Sequence, residues 1–362
     1  MRLLFILIFC NFIGWAQLDN TVFNLENNQD SLAIKRFKWQ LNGFSYFKNN
    51  EYFNEIVKGQ TFFGNQITPK LQWNPSKKWQ INGGFFIAKE FGNNEKYTAT
   101  PIFNLKYNYK NVRFIFGNLE SDLQHKIIEP LYNFERIFSP NRLEEGMQLI
   151  VNRKKIYADT WVNWLLKERN NTTTKNEKIE GGAVVHLSLL NANHFKIKAI
   201  SNSLVYHQGG QNFGSPFSTY TTLHQSLGLN LSYELEKGSF VQKISTENHF
   251  IVHQTQSDSL GFPNGNAQYY NLTTNTKWGD FVLSYWYGKN FINPMGGDLF
   301  SGVSRWQNYK EENRRLLFLR WMKNIYWDDN LAFTLRAEPY YDLNKKLLEY
   351  SFSICLNYWI GR

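Results

Sequence analysis

Glu349-Tyr350-Ser351-Phe352-Ser353-Ile354-Cys355-Leu356-Asn357-Tyr358-Trp359-Ile360 decides the fold. Tyr350, Phe352, Ile354, Leu356, Tyr358 and Ile360 fall on one face. Glu349, Ser351, Ser353, Cys355 and Asn357 fall on the other. A period of two with one apolar face is a strand whose two sides meet different surroundings. The pattern recurs upstream. Leu331, Phe333, Leu335 and Ala337 oppose Thr334, Arg336 and Glu338, and Leu227, Leu229, Leu231 and Tyr233 oppose Ser226, Gly228 and Asn230. Phe195, Ile197 and Ala199 oppose Lys196 and Lys198.

About sixteen such strands fit between residues 37 and 360, with fourteen or eighteen left open. Each is near the ~10 residues that cross a bilayer at a tilt. Every second connection is tight and rich in turn formers, as in Asn74-Pro75-Ser76-Lys77-Lys78, Tyr109-Lys110-Asn111, Glu236-Lys237-Gly238-Ser239 and Trp278-Gly279-Asp280. The connections between them are mostly longer and polar: 120–144, 167–178, 207–219, 254–265 and 290–312. Short periplasmic turns alternating with long extracellular loops predict an all-β, antiparallel, up-and-down transmembrane barrel.

Composition agrees. The 362 residues carry 17% aromatics, with 12 Trp, 20 Tyr and 30 Phe, yet the mean hydropathy is -0.48. A transmembrane barrel shows its aromatics to lipid and its polar groups to the lumen. Beyond the N-terminus no stretch reaches the roughly 18–20 apolar residues of a membrane helix, so only a closed barrel could span.

Residues 1–16 read as a signal peptide. Met1-Arg2 is a short positive start, Leu3 to Ile13 is apolar, and Gly14 and Ala16 are small residues before a cut at Gln17. A lipoprotein reading would use Cys10, but bulky Phe9 precedes it. Residues 17–35, polar and Asn-rich, read as a flexible periplasmic lead-in, and 36–362 as the barrel. Removing Cys10 leaves Cys355 alone, which excludes an internal disulfide and a Cys-based metal cluster.

One stretch carries a resemblance. Phe116-Gly117-Asn118-Leu119, His125-Lys126, Ile128-Glu129-Pro130-Leu131-Tyr132, Phe134-Glu135-Arg136, Glu144-Glu145-Gly146-Met147-Gln148 and Asp159-Thr160-Trp161-Val162-Asn163-Trp164 resemble a segment of uncharacterised porin-like outer-membrane barrels of Bacteroidota. The high Asn, Lys and aromatic content resembles proteins of that phylum too. The resemblance implies a location and a fold, not a substrate. The chain departs from such barrels at its end, where the aromatics of Tyr358-Trp359-Ile360-Gly361-Arg362 are displaced inward from the last position. In general porins the loop at the place of 120–144 folds into the lumen, so the resemblance implies a constriction loop.

That loop carries both signs: Asp122, His125, Lys126, Glu129, Glu135, Arg136, Arg142, Glu144 and Glu145. Opposed charges across a narrow pore select among solutes. The expected constriction residues are Glu129, Glu135, Arg136 and Arg142, facing a lumen lining of Arg113, Lys196, Lys198, Arg320 and Arg336. A Lys or Arg on the lipid face would cost about 2–4 kcal/mol at mid-depth, so these belong inside. The leading functional expectation is a porin-like channel for passive diffusion of small hydrophilic solutes, anions among them. The alternative is a plugged accessory subunit of an outer-membrane assembly. Solvated surface charges and structural ion pairs would also explain these residues. A third reading is an outer-membrane hydrolase: His249 and His253 share a face with Glu247, and Ser245 lies deeper. Alternating polar residues on any lumen-facing strand produce that spacing, so the sequence reading expects no enzyme. No Gly-rich phosphate loop, HExxH or CxxC is present, and neither cofactor nor metal is expected. The formal charge of +10 is dispersed. It suits lipopolysaccharide phosphates or the lumen rather than nucleic acid. Outer-membrane lipid, the barrel-assembly machinery and a homo-oligomer or larger outer-membrane complex are the expected partners.

Overall fold

The computed structural model describes residues 20–25, 37–94, 97–120, 124–139, 142–167, 177–209, 219–236, 238–257, 260–328 and 330–361. The expected signal peptide and Asp122 lie outside them. Sixteen strands follow in order: β1 (Phe37–Glu51), β2 (Gln60–Trp73), β3 (Trp79–Glu90), β4 (Thr98–Tyr109), β5 (Val112–Asn118), β6 (Glu145–Arg153), β7 (Ile156–Leu166), β8 (Glu177–Ala192), β9 (Phe195–Gly209), β10 (Tyr220–Glu234), β11 (Val241–Thr255), β12 (Asn264–Thr276), β13 (Gly279–Lys289), β14 (Asn313–Asp328), β15 (Leu331–Asp342) and β16 (Leu347–Ile360). Each pairs antiparallel with its neighbours, and β1 closes on β16 from Leu41↔Ile360 to Glu51↔Tyr350. Closure leaves no edge strand with unpaired backbone groups in the hydrocarbon. The expected sixteen-strand antiparallel barrel is the observed one.

Burial is inverted relative to a soluble protein. On β16 Ser351, Ser353, Cys355 and Asn357 are each 1% exposed, while Tyr350 is 50% and Ile354 43% exposed. The polar face is the interior, and the apolar face meets lipid. Large aromatics stand exposed at the end of the short turns, among them Phe37, Trp79, Trp278 and Trp327, where a girdle belongs.

The interior is filled. The described residues of loop 119–144 (119–120, 124–139 and 142–144) turn inward and bury Leu119, Ile127, Ile128, Leu131 and Tyr132 against the wall side chains Trp161, Val184, Tyr269 and Phe318 and against Phe291 and Phe300 of 290–312. The two loops are tied by backbone. Asn293 Nδ2 donates to the Pro130 and Leu131 carbonyls at 3.1 and 2.8 Å, and the Gly297 N–H donates to the Glu129 carbonyl at 3.1 Å. Gly296 makes this approach feasible, because a Cβ there would lie 2.1 Å from the Pro130 oxygen.

A second cluster lies towards the turn end. Phe134, Ile137 and Phe138, on a 3-10 turn over Phe134–Phe138, pack on Phe44, Tyr46 and Cys355. Val22 and Phe23 complete this cluster. Residues 20–25 therefore differ from the expected free lead-in. Arg336 Nη1 donates to Asn20 Oδ1 at 2.9 Å, Lys70 donates to the Leu25 carbonyl at 3.1 Å, and Arg142 donates to the Phe23 carbonyl. Two apolar side chains among polar neighbours suffice to dock a short segment when lumen cations cap its carbonyls. The rest of 17–35 lies outside the described residues.

Candidate functional site

The inward loop is fastened by charge. His125 sits in the left-handed region (φ 51) and is fully buried. Its Nε2 meets Glu144 Oε2 at 2.5 Å, its Nδ1 meets Asp159 Oδ2 at 2.9 Å, and its ring stacks on Trp161 at 3.6 Å. Tyr132 donates to Glu144 at 2.8 Å, Arg136 pairs with Glu144, and Gln148 donates to Asp159 at 3.0 Å. Burial alone would strip the proton from His125. The Glu144 and Asp159 carboxylates outweigh it and raise the imidazole to about 9. Glu144 is likewise held down at about 2 against burial, by Arg136 and His125. The network joins the stretches that carried the family resemblance.

The expected constriction residues occupy three places. Glu129 pairs with Arg320 at 2.9 Å, and Glu135 pairs with Lys48 at 3.3 Å. Lys48, Arg320 and Arg336 converge on Glu338, at 3.3, 3.5 and 2.7 Å. So two of the loop residues do meet Arg320 and, through Lys48 and Glu338, Arg336. Arg136 instead binds Glu144, and its guanidinium stacks on the Tyr132 ring at 4.2 Å. Arg142 turns to the N-terminal segment and donates to Gln66 at 3.1 Å. Arg113 lies near the turn end on Glu120, at 2.8 Å, and Lys196 on Glu234, at 2.6 Å. Lys198 is on the same inward face of β9. Arg113 thus meets the loop at Glu120 rather than at the four expected constriction residues, and Lys196 is held near the β8–β9 turn by Glu234.

A third constellation spans β9, β10 and β11. Ser226 Oγ is 2.9 Å from His249 Nδ1, and His249 Nε2 is 3.1 Å from Glu247 Oε1. Asn230 Nδ2 donates to the other Glu247 oxygen at 3.0 Å. With Nε2–H donating to Glu247, Nδ1 is free to accept from Ser226, the tautomer that a nucleophile–base pair needs. Gly228 makes room for the ring: a Cβ there would lie 2.3 Å from His249 Cε1. Asn202 is in register with Ser226 on the neighbouring strand. Its two amide atoms are buried and unpartnered among the described residues. A buried amide left unpaired is costly, and this one stands within cross-strand reach of the serine hydroxyl.

His249 and Glu247 share the inward face of β11, and the serine hydroxyl beside His249 is that of Ser226. Ser245 is in register with Ser232 and Thr273. His253 pairs with His224, with ring centroids 5.6 Å apart, not with His249. Ser226 and Asn202 were missed. Only strand register brings them to His249, and counting back from the 235–240 turn would have found Ser226.

The model of a family described as Lipid A 3'-O-deacylase-type matches residues 29–360. No curated protein matches the chain. Solved structures share the fold. The loop L8 deletion mutant of OmpT, an outer membrane protein of Vibrio cholerae, has a TM-score of 0.53 at 10% identity, over 89% of this chain and 99% of that one. The outer membrane protein OprD of Pseudomonas aeruginosa has a TM-score of 0.54 at 8% identity, over 93% and 97%. OccAB3 of Acinetobacter baumannii has a TM-score of 0.51 at 9% identity, over 90% and 99%. The barrel is thus of outer-membrane type. The expectation that the chain is not an enzyme is overturned by the family match, since that family is described by a deacylase activity. The expectation failed because a linear reading looks for catalytic residues within one segment, whereas a barrel assembles polar sets across strands.

Proposed function

The chain belongs to the Lipid A 3'-O-deacylase-type family, and from this premise we propose that it hydrolyses an acyl ester of a lipid A-type glycolipid in the outer membrane. The observation that carries this reading is the Ser226–His249–Glu247 chain with Asn202 beside it. In the proposed reaction Ser226 Oγ attacks the ester carbonyl carbon and gives its proton to His249. Glu247 orients the ring and steadies the imidazolium. Asn202 Nδ2 donates to the oxygen that gains negative charge. His249 returns the proton to the departing sugar oxygen, and water then releases the fatty acid from Ser226 by the same steps. The ester must reach the lumen from the loop end, so loops 119–144 and 290–312 must part. A source in Bacteroidota is supported by the Asn-, Lys- and aromatic-rich composition.

The test is mass spectrometry of lipid A in vesicles carrying the folded barrel. Release of one acyl chain by the wild type, and none by Ser226→Ala or His249→Ala, is expected. Equal release by Ser226→Ala would remove the site assignment. No release by the wild type or by Asn293→Ala, in which the loop clasp is loosened, would remove the activity.

A second reading, a gated channel for small hydrophilic solutes, anions among them, is favoured by Glu129 and Glu135 meeting Arg320 and Lys48 within the lumen. It predicts stable conductance in a planar bilayer, with an ion preference that moves in Arg320→Glu. Silence from correctly folded protein would sink it.

A further inference from the structure

A cavity of about 450 Å³ opens at the turn end, and none of its described lining residues belongs to β9, β10 or β11. Its lining includes Lys110, Asn111 and Asn152, at the β4–β5 and β6–β7 turns, and the buried Thr68 and Arg142. This volume lies in the range of small-ligand pockets.

Cations outnumber carboxylates among the described lining residues. Lys70, Lys110, Arg113, Lys126 and Arg142 line the cavity against two carboxylates, Glu120 and Glu144. Both carboxylates are already engaged. Glu120 binds Lys106 at 2.6 Å and Arg113 at 2.8 Å, and Glu144 binds His125 and Arg136. Arg142 is the most buried of the lining cations, at 4% exposed. It donates to the Gln66 amide oxygen and the Phe23 carbonyl and lies 5.2 Å from the Phe44 ring centroid. Among the described residues no carboxylate pairs with it. Burial and the nearby Arg136 charge both make its proton harder to hold, yet a guanidinium stays charged in proteins. A buried cation with only neutral acceptors is expensive, and an anion in the cavity would supply the missing charge.

The rest of the lining is suited to hydroxyls. Asn82, Asn104, Asn108 and Asn118 line the cavity with side-chain amides that also bond within the wall, Asn82 to Asn104 at 2.6 Å, Arg113 to Asn108 at 2.8 Å and the Phe103 N–H to Asn118 at 2.7 Å. Thr68 Oγ1 is buried, 1% exposed, and unpartnered among the described residues.

We infer that this turn-end cavity binds a small, hydroxyl-rich anion of the sugar-phosphate or uronate class, with Arg142 as its charge anchor. The site shares no lining residue with the proposed ester chemistry on β9–β11. Titration calorimetry of the folded full-length barrel in detergent micelles tests it, with glucose 6-phosphate as the probe. Saturable one-site binding is expected, at least tenfold weaker for glucose and for inorganic phosphate. Arg142→Gln should weaken it at least tenfold. Because Arg142 also holds Phe23, Lys110→Glu on the exposed turn is the companion variant and should weaken it severalfold without touching the interior. Ser226→Ala should bind as the wild type does, which separates this proposal from the hydrolase reading. No saturable heat, glucose or phosphate binding as tightly as glucose 6-phosphate, or affinity unmoved in both charge variants would overturn it.

Discussion

His125 holds a proton between Glu144 and Asp159, and the plug is fastened by that charge. An unfolded imidazole titrates near 6.5, whereas this one is raised to about 9. The folded state therefore binds the proton more tightly, and the resulting stabilisation is complete below about 6.5 and lost as pH rises through about 9. Glu144 has the opposite sign. Lowered from 4.5 to about 2, it contributes above about 4.5 and is lost as pH falls through about 2. Thermal melting of the folded barrel should show its midpoint falling between roughly 6.5 and 9, and His125→Asn should flatten that alkaline limb. A limb that persists in His125→Asn would move the effect elsewhere. Asn202 has a separate consequence at this scale. If its amide meets the developing oxyanion, Asn202→Leu lowers kcat by roughly 10²–10³-fold and moves KM little. A change in KM alone would make Asn202 a packing residue.

Among the elements, β10 and β11 matter through their register. Gly228 faces His249 across the pair, and the ring occupies the space that a Cβ would take. Gly228→Ala should leave a folded barrel, since the ladder is backbone, yet pull His249 from Ser226. Ester cleavage should fall at least a hundredfold while heat-modifiable migration on a gel is unchanged. Loops 119–144 and 290–312 form the other element-scale unit. Gly296→Val would drive a side chain into the Pro130 carbonyl and lift one loop from the other. Protease nicking within 290–312 should then quicken, with the strands still protected. The alternation of single strands was legible because inside and outside alternate along every strand. The pairing of the loops was not, since Asn293 and Pro130 are far apart in sequence and their contact is side chain to backbone.

At the scale of the molecule, strand closure and interior filling are separable. The barrel is held by ladders that join each strand to its neighbours and close β1 on β16, whereas the interior is closed by loops that contribute no strand. Deleting residues 121–139 should therefore leave a heat-modifiable barrel that conducts in a planar bilayer more than the full chain does. Loss of the barrel itself would show that the plug is part of its folding core. By itself the sequence determined a barrel of about sixteen strands, their turn rhythm, the outward apolar face and the inward home of Arg320, Arg336, Lys196 and Lys198. These follow from local periodicity and from the cost of charge in lipid. Only the tertiary structure decided that the lumen is filled, that Glu129 meets Arg320 while Arg142 turns to Phe23, and that Ser226 and Asn202 flank the site of His249. Those facts depend on how sixteen strands are staggered around a closed ring and where two loops fall inside it. Such contacts join residues far apart along the chain, and no local pattern encodes their meeting.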